Sequence, residues 1–257
     1  FHAMSPGEQA NQLGAPLTKL NELLGRRALR SVLAQPNPAL DLGDAITRRR
    51  IVLVSLAPGR IGTPAARLLG ALIVHGLFTA VQARVATPPD RRTPFLAYLD
   101  EPKVLGDIPV PLDGMFELAR GMGVGLTISA QSLSQLTPTV RQAGLTNAAS
   151  VIAFRQTADD ADLLARQLPG VTADALQHLG AYEVIARLGL GTGQIAAPAT
   201  GTTIPLAPPT IDAEAVRSNS ALRYGVDPAE VDRQLAERHQ PSTGGSDGPV
   251  GKRRRQP

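Results

Sequence analysis

The stretch Phe95-Leu96-Ala97-Tyr98-Leu99-Asp100-Glu101-Pro102 decides how the chain is read. Its first five residues are apolar, with the length and composition of a fully buried strand. Two adjacent carboxylates then leave the C-terminal end of that strand, the edge at which open α/β sheets bind ligands. A plainer reading competes: Pro102 cannot continue a strand, and acidic residues at a strand end favour solvent. The sequence on either side decides between the two.

Upstream, Ile51 to Leu56 is a β-branched apolar run, expected as another buried strand. It feeds the loop Ala57-Pro58-Gly59-Arg60-Ile61-Gly62-Thr63-Pro64 and a long helix to about Val85, with Thr63 at the N-cap and Pro64 in the first turn. The most apolar part of that helix, Leu68 to Val81, is interrupted by His75 and flanked by Arg67 and Arg84. It is too short for a bilayer span and reads as a buried helix. Downstream, Leu112, Met115, Phe116, Ala119 and Met122 trace one helical face, which Gly123-Val124-Gly125 breaks. Leu126 to Ala130 is a strand ending at Gln131, and Val140 to Leu145 a short helix. Ser150 to Phe154 is a strand ending at Arg155, and Thr157 to Asp160 a capping-box pattern that opens a helix to Leu168. Tyr182 to Leu188 is the last strand. Strands alternating with helices indicate a parallel sheet in an α/β domain.

The flanks read differently. Residues 1–16 are rich in Gly, Pro and Gln and are expected as a linker, followed by a helix from Leu17 to Leu33 that opens a main domain over 17–196. Residues 197–211 are a Pro- and Thr-rich linker, 212–239 hold two short polar helices, and 240–257 have the composition of a disordered basic tail.

Composition narrows the chemistry. Hydrophobic residues make up 43% of the 257, which excludes a wholly disordered protein. Aromatics reach only 3%, with no Trp, too few for a base-stacking platform. There is no cysteine, so disulfides, thiolate catalysis and cysteine-held metals are excluded. His2, His75, His178 and His239 are scattered and form no zinc-binding spacing. Of the +4 net charge, the run Lys252-Arg253-Arg254-Arg255 supplies an equal amount, so the folded body is near neutral. Phe1 is not an initiator residue, and the chain reads as a piece of something longer.

Three strand ends thus deliver Asp100-Glu101, Gln131 and Arg155. Parallel strands joined by right-handed crossovers point their C-termini the same way, so these groups are expected on one rim. In a nucleoside triphosphatase the first carboxylate of such a pair holds the magnesium shell and the second polarises the attacking water. An amide there senses the γ-phosphate and orients water, and a guanidinium neutralises transition-state charge, often from a neighbouring subunit.

Several ordered blocks carry a family resemblance. They are Arg50-Ile-Val-Leu-Val-Ser-Leu-Ala-Pro-Gly-Arg-Ile-Gly62, the stretch Phe95 to Glu101, and Met115-Phe-Glu-Leu-Ala-Arg-Gly-Met-Gly-Val-Gly-Leu-Thr-Ile-Ser-Ala-Gln131 continuing to Leu136. Asn147 to Arg155, Asp160-Ala161 and Leu163-Leu164-Ala165 continue the pattern. Together, over roughly residues 17–190, the chain resembles the conjugative coupling proteins, the TraD/TraG-type ATPases of type IV secretion within the HerA/FtsK group. The resemblance implies a RecA-like α/β fold, ATP and Mg²⁺ as cofactors, and a homo-hexamer that moves DNA. It also implies relaxosome or secretion-channel partners and a place at the cytoplasmic face of the bacterial inner membrane, anchored through an upstream segment. By it, Asp100 and Glu101 match the Walker B pair, with Asp100 the metal residue. Gln131 matches the glutamine after the next strand, Arg155 the arginine after the one following, and Arg120 a basic position on the intervening helix. Two positions depart from the family: Gly121 stands where lysine is usual, and Pro102 where an aromatic is common.

One motif is missing. No G-x-x-x-x-G-K-[ST] occurs, and the glycine-rich segments 59–63, 121–125 and 189–193 read as turns. The chain by itself is therefore expected to bind nucleotide poorly, as the C-terminal part of an ATPase domain or as a pseudo-ATPase. A HerA-like DNA-processing helicase is the nearest alternative within the class, and a non-catalytic docking module the alternative outside it.

Overall fold

A computed structural model describes residues 5–35, 37, 39–105, 111–191 and 193–239. The basic tail expected over 240–257 lies outside the described residues. In chain order the helices and strands begin with α1 (Pro6–Leu24), α2 (Arg27–Leu33), α3 (Leu42–Thr47), α4 (Pro58–Ile61), α5 (Thr63–Ala83), β1 (Phe95–Asp100) and α6 (Leu112–Leu118). They continue with β2 (Val124–Ser129), α7 (Pro138–Asn147), β3 (Val151–Ala153), α8 (Ala158–Ala165) and α9 (Ala173–Gln177). The last are β4 (Glu183–Arg187), β5 (Gly189–Leu190), β6 (Gln194–Ile195), β7 (Ala199–Thr202), α10 (Ala213–Tyr224) and α11 (Pro228–His239).

The described residues divide into two compact units, one within 39–216 and the other formed by those of 5–37 with 217–239. The expected division at 17 and 197 is corrected by this. Residues 17–33 belong with the C-terminal helices, and residues 6–16, expected as linker, are helical as part of α1. In the smaller unit α2 packs on α11, where Leu29 and Val231 are fully buried. Arg30 donates from Nε to Asp232 Oδ1 at 2.7 Å and from Nη2 to Oδ2 at 3.4 Å, and Nη1 donates to the Leu24 carbonyl.

In the larger unit β1 and β2 run parallel, with Phe95 opposite Val124 and Asp100 opposite Ser129. Two arginines hold the start of this pair. Buried Arg84 donates to the Thr93 carbonyl, and Arg92 bonds the carbonyls of Thr87 and Gly121 at 2.8 and 2.5 Å. Gly123, at φ 70°, makes the sharp entry into β2 that a side chain would resist. One face of the pair buries Ala97 and Val124 against Val74, Leu77 and Val81 of α5 and Leu112 and Met115 of α6. The other face is bare: Leu96 is 63% and Tyr98 71% exposed, so β1 is buried on one face only.

Two further expectations change. Ile51 to Leu56 is not a strand; no described residue pairs with it, and Ile51 is 88% exposed. An apolar run becomes a ladder only where a partner meets its backbone groups. Gly62, at φ 84°, rather than Thr63, is the N-cap of α5, with Pro64 in the first turn. With its following turn, Thr63–Ala86 is long and apolar enough to cross a membrane, contrary to the length read from Leu68–Val81. Its face from Ala65 and Ala66 through Gly70 and Val74 to Val81 lies in the core.

The remaining strands do not extend a parallel sheet. β3, β4 and β7 form an antiparallel three-stranded sheet, and β5 and β6 a short hairpin. The reason lies between β3 and β4, where the chain makes a helical hairpin, α8 against α9, instead of a single crossover helix. Two successive traverses return the chain to the end of β3 it left, and the Gln156 N–H accordingly meets the Leu176 carbonyl at the end of α9. β4 must then run back along β3. A second core of Ala153, Ala161, Leu164, Leu168, Leu176 and Ile185 forms there, and Leu133 and Leu145 pack on it.

The Arg30–Asp232 pair gives a pH signature. The hydrogen bond from Arg30 is the main reason the Asp232 carboxyl titrates below its ordinary 3.8. A carboxyl lowered on folding stabilises the fold above its unfolded value and ceases to do so as the pH falls through the lowered one. The melting temperatures of the wild-type chain and Asp232→Asn are therefore expected to differ at pH 6 and to converge in strong acid.

Candidate functional site

Asp100 is the last residue of β1, and its carboxylate is exposed. Its register partner Ser129, the last residue of β2, donates from Oγ to Asp100 Oδ1 at 2.6 Å. The Glu101 N–H continues the ladder by donating to the Ser129 carbonyl at 3.0 Å. Glu101 then takes φ 50°, in the left-handed region, directly before Pro102, which is buried. Both facts oppose intrinsic preference: a side chain disfavours positive φ, and a following proline favours extended backbone. Such outliers persist where the surroundings over-determine them, and they cluster at functional sites. The turn swings the chain off the sheet immediately after Asp100.

Gln131 lies two residues beyond Ser129, on the edge that carries Asp100, and is exposed. Buried Asp160 fixes the segment after it. Its Oδ2 accepts from Ser132 Oγ at 2.7 Å and from the Leu133 N–H at 3.0 Å. Ser132 Oγ in turn accepts from the Ser134 N–H, and Leu133 enters the second core. This corrects the reading of Thr157–Asp160 as a capping box. Thr157 is the N-cap of α8 without a side-chain bond, and Asp160 reaches across to another loop. The first turn of a helix suits that carboxylate, since its free N–H groups and dipole favour negative charge.

Arg155 follows β3 by two residues and is exposed. Through Asp160, five residues further on, its segment is tied to the loop that carries Gln131. Arg155 forms no ion pair among the described residues, so the acidic start of α8 does not consume it. Arg120 is elsewhere. It precedes β2 and so stands at the opposite end of that strand from Asp100, about 20 Å away for six extended residues. The structure thus gathers Asp100, Glu101 and Gln131 on one edge, joins the Arg155 segment to that edge, and leaves Arg120 out.

The sequence does not single out Ser129, and it offers Asp160 only as part of a capping box and of the family pattern. The equal lengths of β1 and β2 carry the signal for Ser129, since they align the two strand ends. Asp160 has a local explanation as a cap, and nothing in its own neighbourhood points to Ser132. Among the described residues no group of three His, Asp or Glu forms a ready-made metal site.

No protein-family model matches the sequence, and no curated protein is similar to it by sequence. Solved structures are similar. The bacterial conjugative coupling protein TrwBΔN70 in an unbound form aligns at a TM-score of 0.43 and 15% identity, over 55% of this chain and 38% of TrwBΔN70. TrwB in complex with ADP and Mg²⁺, and TrwB with the non-hydrolysable GTP analogue GDPNP, each align at a TM-score of 0.43 and 16% identity, over 55% of this chain and 37% of theirs. The chain therefore spans less than two fifths of these proteins' length.

Two substitutions test the geometry by urea denaturation. Glu101→Gly relieves the left-handed backbone and is expected to stabilise the chain by about 0.5–1 kcal/mol. Asp160→Ala leaves the Ser132 hydroxyl and Leu133 N–H without their acceptor, a loss of about 1–3 kcal/mol.

Proposed function

We propose that this chain carries the metal-binding and water-activating edge of a RecA-like ATPase domain. The whole protein is a conjugative coupling motor of the TraD/TraG type that moves DNA, or DNA with bound protein, towards a secretion channel. The observation that carries this reading is the pair of adjacent parallel strand ends. There Asp100, oriented by the Ser129 hydroxyl, stands beside Glu101, with Gln131 just past the partner strand. The blocks of sequence around these residues supply the class of motor.

The residues fit one side of a magnesium–nucleotide site. Exposed carboxylate oxygens at a strand end beside a hydroxyl are the hard donors Mg²⁺ takes, alongside water and phosphate. The phosphate-cradling side is not in this chain, because the sequence has no glycine-rich loop running into Lys-Ser or Lys-Thr. Bound MgATP supplies the transferable phosphoryl group and the cation that offsets its charge. Asp100 holds the cation. Glu101 accepts the proton of the attacking water, Gln131 orients that water, and Arg155 offsets charge on a neighbouring subunit's nucleotide. That last role makes a homo-hexameric ring the working state. DNA is the transported partner, relaxosome or channel proteins deliver and receive it, and an upstream segment holds the ring at the inner membrane.

The test uses the chain extended upstream through its phosphate loop. It is expected to hydrolyse ATP only with Mg²⁺, and Glu101→Gln to lower kcat by about 10²–10⁴ while nucleotide affinity changes little. The 257-residue chain alone is expected to show no turnover. Full activity of Glu101→Gln, or turnover by the short chain, contradicts the assignment.

A further inference from the structure

We propose a second site in the 39–216 unit, away from the carboxylate edge, that binds a phosphate group. A cavity of about 380 Å³ opens between the turn before β2, the C-terminal end of α7, the end of β4 and the β5–β6 hairpin. Its polar lining includes Arg120, Asn147, Ser150, Gln167, Arg187 and Gln194, and no carboxylate lines it among the described residues. The volume lies within the usual range for small-molecule sites.

The two guanidiniums carry the argument. Arg187 donates from Nη1 to the Gln167 carbonyl at 2.6 Å and from Nη2 to the Ala148 carbonyl at 2.9 Å. These neutral acceptors fix its plane and leave its charge uncancelled. Arg120 is exposed, and its Nη2 lies over the hairpin, 3.5 Å from where a Cβ on Gly193 would stand. Neither arginine is ion-paired among the described residues.

A purely architectural role accounts for part of this. Arg187 clamps β4 to the segments around Gln167 and Ala148, which explains Nη1 and Nη2. It does not explain two cations around one cavity with no carboxylate beside them among the described residues. An oxyanion supplies the missing counter-charge, and phosphate suits the unengaged fork of Arg120 by paired charge-assisted hydrogen bonds. Asn147, Gln167, Ser150 and Gln194 supply neutral donors and acceptors for the rest of the ligand. The phosphate belongs either to a free phosphorylated small molecule or to a nucleic-acid strand. The site stands whether or not the carboxylate edge hydrolyses nucleotide, since the length of β2 separates Arg120 from Asp100.

Isothermal titration of the 257-residue chain in EDTA separates these cases, with inorganic phosphate, ADP and a 12-nucleotide single-stranded DNA as probes. EDTA removes any cation that Asp100 holds. At least one probe is expected to bind at millimolar concentration or below, and Arg120→Gln to weaken it about tenfold or more. Arg120→Lys is expected to recover part of the loss, and Asp100→Asn to leave binding unchanged. Phosphate or ADP binding more tightly than DNA identifies the free ligand. DNA binding more tightly, with a steep salt dependence, identifies the strand. Silence from all three probes overturns the proposal. So does affinity unchanged by Arg120→Gln, and so does loss of binding in Asp100→Asn, which moves the ligand to the other edge.

Discussion

The rest of the larger unit depends on the register between β1 and β2. With Phe95 opposite Val124, the residues Ala97 and Val124 face α5 and α6, and Asp100 ends level with Ser129. A slip of one residue turns every side chain of a strand to the opposite face. It would expose Val124 or Ala97, bury Tyr98, and take the Ser129 hydroxyl away from the carboxylate. Arg84, Arg92 and Gly123 prevent the slip by fixing where each strand begins. The chemistry at the C-terminal end is thus set by arginines at the other.

Asp160 plays the corresponding part between the parallel pair and the antiparallel sheet. Two strand-end loops meet through one buried carboxylate, which accepts a hydroxyl and a backbone N–H. Gln131 and the segment of Arg155 are therefore fixed to each other more firmly than their exposure suggests. Arg155 itself forms no ion pair with Asp160, whose Oδ2 holds the loop instead.

What could be read from the sequence was what short-range pattern encodes. Phe95–Asp100, the helix through Met115 and the strand before Gln131 follow from apolar periodicity and from the glycines between them. The carboxylate pair could be placed because a strand end has a definite chemistry. Ile51–Leu56 misled because composition reports burial potential and says nothing of whether a partner strand exists. The direction of β4 was hidden for another reason. One helix or two between strands decides parallel or antiparallel, and Pro169-Gly170, which separates α8 from α9, reads as a single helix end. Asp160 was misplaced because a capping motif and a long-range clamp use the same residue at the same position, and only the fold distinguishes them.

The bare face of the β1–β2 pair bears on how this polypeptide behaves at high concentration. Leu96 and Tyr98 stand in water on a sheet of two strands, each with one edge unpaired among the described residues. Gly125 beside them adds no side chain, and a Cβ there would press on Leu96 at 2.8 Å, so the surface is flat as well as apolar. No charged side chain or proline interrupts the run from Phe95 to Leu99. Flat, uncharged strand edges recruit further strands. Solubility of the isolated chain is therefore governed by this patch more than by net charge, and a single lysine at position 96 or 98 acts as a gatekeeper against fibrillar stacking.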